Sequence, residues 1–493
     1  MNKGLNYLKS GEIFSGDVKI IKKAKPGPVV FIVTNGAGAI EAVIKDSDFE
    51  VGDVVFLKGH VNEHRGRLQI EIEKITKSDM DFDTIVNEKA KPVRTEFSIE
   101  SDRYEKMKPV MIKIATRIRR AILEGQPIMI RHHNDADGIT SGASIEHACL
   151  GFMQSLGIDS RYLLFRSPSR APFYAAGDVL RDLVLSKRFV EGDSNIKPLI
   201  IVADNGSTPE DVMGLKTLKT LGYEAMVIDH HNPVVLNNGV TAIDDYVSLH
   251  LNPYKHDLDS KTSAGMLCYE IARFVYEDFN NEKMPAVAGI ADRCDIEETE
   301  KYIQKTGLSR EELSKIGTAM DYISYQLRHD AGKGVYEELY ENMGFVNIIN
   351  EEVRKGSENQ LQSTLPYLRT FNINEIIFST IDLEKYTMRF TFPAPGGVLS
   401  RIHEIVNSNN ESSPVLTMGY LSDMIIVRAN QPILPVQVII DHLKEKFPAA
   451  NVDGGGHEMA GAIKFVSAHQ EEILEEIKEM LKGVTLPKAD SEI

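Results

Sequence analysis

The polar residues of this 493-residue chain fall where apolar runs stop. One run passes into Arg131–His132–His133–Asn134–Asp135–Ala136–Asp137–Gly138. A second, Leu199–Ala203, passes into Asp204–Asn205–Gly206. A third, Ala225–Ile228, passes into Asp229–His230–His231–Asn232, and a helical stretch, Ala286–Ala291, ends in Asp292. A single Asp after a strand is ordinarily a cap or turn residue. Four such endings, one with a histidine pair, ask for another explanation. Carboxylates at close range repel and raise one another's pKa, and a divalent cation removes that cost. Oxygen donors mixed with imidazole suit Mn²⁺ or Mg²⁺ better than a thiolate-seeking metal. The chemistry to expect is therefore that of a divalent-metal centre.

The elements that must position these residues follow from periodicity. Residues 127–295 alternate apolar strands (Pro127–His132, Tyr162–Phe165, Pro198–Ala203, Ala225–Ile228 and a weaker Thr241–Ile243) with helices (Ser141–Leu156, Ala175–Phe189, Glu210–Leu221, Thr262–Phe279, Met284–Asp292). That alternation is an α/β pattern, a mostly parallel sheet flanked by helices, whose ligands bind beyond the carboxyl ends of the strands. Ahead of it, residues 1–80 hold five short apolar runs separated by Gly and charged turns, which fits an OB-like β-barrel. Residues 81–100 lose periodicity and contain Pro92, so they read as a linker. Tyr104–Leu123 has helical spacing, with Lys106, Lys113, Arg117, Arg119 and Arg120 off its apolar stripe, a solvated face or a basic lip beside a phosphate site. Residues 296–372 look like a polar helical insert. Residues 373–485 return to strands, among them Thr387–Phe392, and helices, as a separate α+β domain that carries Gly454–Gly455–Gly456–His457.

The chain has 56 Lys+Arg against 72 Asp+Glu, a formal charge of −16, which at first sight argues against a nucleic-acid partner. Its 42% hydrophobic and 26% charged composition is that of a globular protein rather than a disordered or disulfide-scaffold one. No run has the ~20 apolar residues of a membrane span, and the N-terminus lacks a signal-peptide core. The three widely spaced cysteines, Cys149, Cys268 and Cys294, read as reduced thiols. The expectation is a cytoplasmic protein with no membrane partner. The spacing of His250 and the other scattered histidines assigns them no role.

The ordered set His133-x-Asp135-x-Asp137–Gly138, Asp204, Asp229–His230–His231 and Asp292 resembles the motifs of the DHH phosphoesterase superfamily. Asn252–Pro253 and Ser263–Ala264–Gly265 add to the likeness, and Gly454–Gly455–Gly456–His457-x-x-Ala460–Gly461–Ala462 looks like the signature of the associated DHHA1 domain. The whole is similar to archaeal RecJ-like single-strand exonucleases, including the helicase-associated nuclease branch. The resemblance implies a DHH catalytic domain over 101–295 and a DHHA1 substrate-binding domain over 373–485. It implies two Mn²⁺ ions, with Mg²⁺ as the alternative, on Asp135, Asp137, Asp204, His230 and Asp292, with Asp204 bridging. His133 is either a further ligand or a neighbour. His231 would contact the scissile phosphate, Asp229 would orient the histidine pair, and Arg428, Gly454, Gly455, Gly456 and His457 would hold the nucleic-acid strand. Two ions about 3.5–4 Å apart clamp the attacking and leaving oxygens of an in-line displacement. The implied activity is hydrolysis of single-stranded DNA or RNA in repair or replication, with polarity left open. The implied partners are the strand itself, replication or repair proteins such as a helicase or a single-strand-binding protein, or a second copy of the chain. Two competing functions are a phosphodiesterase of short oligoribonucleotides or cyclic dinucleotides, and a non-catalytic replication scaffold.

Overall fold

The computed structural model describes residues 4–484 apart from 25–26, 65, 162, 188–195, 236–238, 389, 411 and 458. Parts of the expected turn at Lys25–Gly27, of the strands starting at Tyr162 and spanning Thr387–Phe392, and of the helix ending at Phe189 lie outside the described residues, as does residue 485. The chain folds as two compact units, residues 1–346 and 347–493.

The first unit opens with a closed barrel of β1 (Ile13–Ala24), β2 (Val29–Thr34), β3 (Ala39–Ile44), β4 (Val54–His64) and β5 (Arg67–Lys77). The strand order is β1-β2-β3-β5-β4, with only the β3–β5 pair parallel. Alternation puts Val18, Ile20, Phe31, Val33, Val55, Leu57 and Ile70 inside. The expected OB-like barrel is thus present.

The segment read as a linker is not loose chain. Asp81 caps a helix, Phe82–Ala90, through the Thr84 N–H at 3.1 Å. The next ten residues form a strap, in which Phe97 packs against Tyr104 and Phe274 at 5.3 Å each and the Ser98 N–H donates to the buried Glu270 carboxylate. The pattern misleads because a short helix and one anchoring aromatic need no extended periodicity.

Five parallel strands follow: β6 (Ile128–His132), β7 (Leu164–Pro168), β8 (Leu199–Ala203), β9 (Glu224–Ile228) and β10 (Leu249–Leu251), in the order β10-β9-β8-β6-β7. β6, β8 and β10 read as almost uninterrupted burial, as strands covered on both faces must. The fifth strand is β10 rather than Thr241–Ile243, of which Thr241 makes only an isolated bridge to Val235. Helices Asp102–Leu123, Ala136–Ser155, Val212–Thr220 and Ala264–Val275 flank the sheet, and Lys283–Ala291 packs on Ala136–Ser155 and Ala264–Val275. The basic-lip reading of the first fails. Arg117 pairs with Glu224 at the start of β9, and Arg120 with Glu124, at the end of the sheet remote from the strand termini that carry the motifs. Helices Glu297–Thr306, Arg310–Leu327 and Val335–Glu341 complete this unit, so the expected insert is divided by the unit boundary.

The second unit has a six-stranded sheet: β11 (Arg369–Ile373), β12 (Ile376–Asp382), β13 (Val415–Tyr420), β14 (Met424–Ala429), β15 (Asp453–His457) and β16 (Ala460–Lys464), ordered β11-β12-β13-β14-β16-β15. Helix Pro395–Ser408 packs one apolar cluster, and helices Val436–Lys446 and Gln470–Gly483 pack the other. No strand forms among the described residues of 387–392; β11 takes the edge instead.

Candidate metal centre

All the acidic and histidine motif residues converge at the carboxyl ends of β6, β8 and β9. Asp135 is the N-cap of helix Ala136–Ser155, its Oδ1 accepting from the Gly138 N–H at 3.0 Å, which puts Asp137 in the first turn. That helix begins five residues before the sequence pattern shows it, because its first turn is spent on site residues. Asp204 follows β8 directly, at φ +56. Asp229, His230 and His231 follow β9, and Asp292 caps the C-terminus of helix Lys283–Ala291.

Three sets of donors have ligand atoms within 4.8 Å of one another: His133, Asp135 and Asp204; Asp204, His230 and His231; Asp137, His230 and Asp292. Asp204 and His230 each belong to two sets. The Ser260 carbonyl lies 2.7 Å from His230 Nδ1, and a carbonyl can only accept, so Nδ1 carries a proton. Nε2 then faces Asp204, Asp292 and Asp137 at 3.4, 3.5 and 3.8 Å. It is buried and without a hydrogen-bond partner, as is Asp204 Oδ1. A lone pair among three carboxylates is repulsive, and the arrangement calls for positive charge. The charges around it point the same way. Burial disfavours the His230 imidazolium, but Asp204, Asp292 and Asp137 outweigh it and hold its pKa well above the ordinary value. Burial and Asp204 push Asp137 up, and burial, opposed by His230, raises Asp292 to about 6. Burial would also raise Asp135, yet His133, 2.8 Å away, brings it down. The donor set of carboxylates and imidazole fits a hard or borderline divalent ion.

Main-chain and buried polar groups hold the donors in place. The N–H groups of Ala264 and Gly265, at the start of helix Ala264–Val275, donate to the two oxygens of Asp137 at 3.0 and 2.9 Å. A Cβ at Gly265 would stand 2.7 Å from Asp137 Oδ1. Asp229 is fully buried. Its Oδ1 lies 2.8 Å from His231 Nδ1 and accepts from the His230 N–H, and its Oδ2 accepts from the Ser207 N–H at 3.0 Å. Against the cost of burial, His231 keeps Asp229 ionised. Asn252 donates to the His231 carbonyl at 2.9 Å and to Ser207 Oγ at 3.1 Å. Asn252 and the Ser263–Gly265 run are legible in the sequence as motif fragments; Ser207, Ser260 and their carbonyl and amide contacts carry no pattern. Nor do Arg170 and Arg328. Both are exposed, and neither is ion-paired among the described residues. The Arg328 carbonyl accepts from Asn134, inside the metal motif, and His329 lies within electrostatic range of both guanidinium groups.

Arg428 and the glycine run lie in the second unit. Arg428 on β14 is in register with Ala460 on β16, and Ala460 with His457 on β15, so one row crosses the three strands. The His457 side chain is outside the described features. The glycines form an edge strand rather than a loop. A Cβ at Gly454 or Gly456 would meet a β16 carbonyl oxygen at 2.2 or 2.3 Å, whereas Gly455 faces open space. Close strand approach explains two of the three glycines.

A family model described as the DHH family, N-terminal domain, matches residues 127–293. Over 510 aligned positions the chain is 35% identical to the uncharacterized protein MJ1198 of Methanocaldococcus jannaschii, spanning 93% of this chain and 67% of that protein. The chain belongs to the DHH family. A solved structure described as the DHH domain of PF0399, a member of the s1p family of ribosomal proteins, is similar with a TM-score of 0.77 at 34% identity, over 82% of this chain and 97% of that one. RecJ of Thermus thermophilus in complex with Mn²⁺ shares the fold at 18% identity and a TM-score of 0.52, over 77% of this chain and 55% of that one. This DHH-family chain is a phosphoesterase of the superfamily, with acidic and imidazole groups placed to hold metal.

Proposed function

We propose that the protein is a metal-dependent exonuclease that hydrolyses phosphodiester bonds in single-stranded DNA or RNA. The observation that carries this reading is the carboxylate–imidazole centre at the strand termini, in which Asp204 and His230 are each shared between two donor sets. Asp135 and His133 on one side, and Asp137, His230 and Asp292 on the other, would hold two ions with Asp204 between them. Mn²⁺ or Mg²⁺ bound there supplies Lewis-acid stabilisation of phosphoryl charge and lowers the pKa of water. Asp229 fixes His231 through Nδ1, which positions that imidazole for the scissile phosphate. Arg428, Gly454, Gly455, Gly456 and His457 would hold the strand from the second unit.

The test is a time course on end-labelled DNA and RNA strands of mixed length with Mn²⁺, Mg²⁺ or EDTA. Mononucleotide release from long strands, lost in EDTA, is expected. Cleavage confined to the shortest oligonucleotides would transfer the assignment to a short-substrate phosphodiesterase, and no cleavage with either metal would favour a scaffold. The decisive variant is Asp204→Asn, because Asn tolerates the left-handed backbone that Asp204 occupies. It should fold normally and cleave at background level.

A further inference from the structure

The helix Arg310–Leu327 reads in the sequence as part of an insert apart from the chemistry, yet its two ends of contact fall on the metal motif. Asp321 accepts from the Ala136 N–H at 2.9 Å. The carbonyl of Arg328, the residue after the helix, accepts from the Asn134 side chain. These bonds lie on either side of Asp135. The Asp135 Oδ1 accepts from the Gly138 N–H and its Oδ2 lies 2.8 Å from His133 Nδ1, so the two flanking bonds are what hold the main chain that places this carboxylate. Arg328 has φ +59 and ψ −90, a conformation that a bulky residue keeps only where its surroundings over-determine it. Asp321 is absent from the three donor sets, so a ligand role does not account for it.

We propose that this helix is a clamp on the metal centre: Asp321 and the Arg328 carbonyl grip the loop at Asn134 and Ala136 and fix the placing of Asp135, which makes Asp321 a positioning residue for ion binding. The inference rests on the metal reading above. It is tested by calorimetric Mn²⁺ titration of the metal-stripped full-length protein, with thermal unfolding of the same samples as the check on folding. Groups that orient ligands typically change metal affinity by 10–100-fold when removed, so Asp321→Ala should weaken Mn²⁺ binding by about that factor. Asp321→Asn keeps an oxygen that accepts from the Ala136 N–H and should bind close to wild type. Asn134→Ala, which releases the second grip without altering the helix, should weaken binding in the same direction. Wild-type affinity in both alanine variants overturns the clamp alone. Equal loss in Asp321→Asn and Asp321→Ala overturns the positioning role, because charge rather than the hydrogen bond would then be at work. No Mn²⁺ binding by the wild-type protein overturns the metal reading and the clamp together.

Discussion

At the scale of single residues, the centre is built from positions with little freedom. Gly265 stands so close to Asp137 that an added methyl would press on Oδ1 at 2.7 Å and on Ala288 Cβ at 2.5 Å. Gly265→Ala should therefore weaken Mn²⁺ binding although it alters no ligand; unchanged affinity by calorimetry would show that the helix start can retreat. Glu270, on the same helix, is buried and accepts from Ser98 N–H and Tyr302 O–H. Burial raises its pKa to about 7. A carboxyl whose folded pKa exceeds its unfolded value binds more protons in the folded state. Its stability contribution is complete below about pH 4.5 and is lost as pH rises through about 7, on the order of 3 kcal/mol in all. Thermal unfolding from pH 5 to 8 should fall more steeply in the wild type than in Glu270→Gln. Parallel profiles would show that Glu270 titrates normally.

At the scale of elements, a relay braces the loop after β8 against the segment leading to β10. Asp244 Oδ1 lies 2.7 Å from His250 Nδ1, and His250 Nε2 lies 2.9 Å from Ser207 Oγ. The order matches a nucleophilic triad, but Ser207 is fully buried, and its support of Asp229 comes from the backbone N–H. Ser207→Ala should cost about 1–3 kcal/mol in denaturation, the penalty for leaving buried partners unsatisfied, while cleavage per folded molecule stays near wild type. A collapse of turnover at full stability would assign the hydroxyl a chemical part. The relay also marks the limit of sequence reading. Asp204 or Asp292 announces itself by closing an apolar run, whereas His250 and Ser207 look like any scattered polar residues until β9 and β10 pair. The barrel, four of the five parallel strands and the motif carboxylates were readable because each repeats a period or ends one. The helix Phe82–Ala90, the strand character of Gly454–Gly456 and Asp321 were not, since close approach between distant segments decides them.

At the scale of the molecule, the net charge of −16 loses its first meaning. Several of the acids are the buried carboxylates of the centre, where a cation would offset them. Overall charge governs non-specific attraction, and local charge governs the site. Single-strand binding should thus depend on divalent metal, and duplex binding should stay weak. Fluorescence anisotropy of the wild-type protein with labelled, phosphorothioate-protected single strand and duplex, with and without EDTA, checks both; tight metal-free duplex binding would contradict the reading. The unit boundary, inside the helix Met343–Thr364, was beyond the sequence because an uninterrupted helix gives no break in composition.

The candidate metal donors run from His133 to Asp292, and the contacts that brace them end at Arg328, all within the first unit. During synthesis, that unit is complete while 347–493 are still unmade. At ordinary elongation rates the interval is on the order of ten seconds, long for a domain to fold and load metal. A growing chain would then carry a finished hydrolytic centre before the residues proposed to hold its substrate exist.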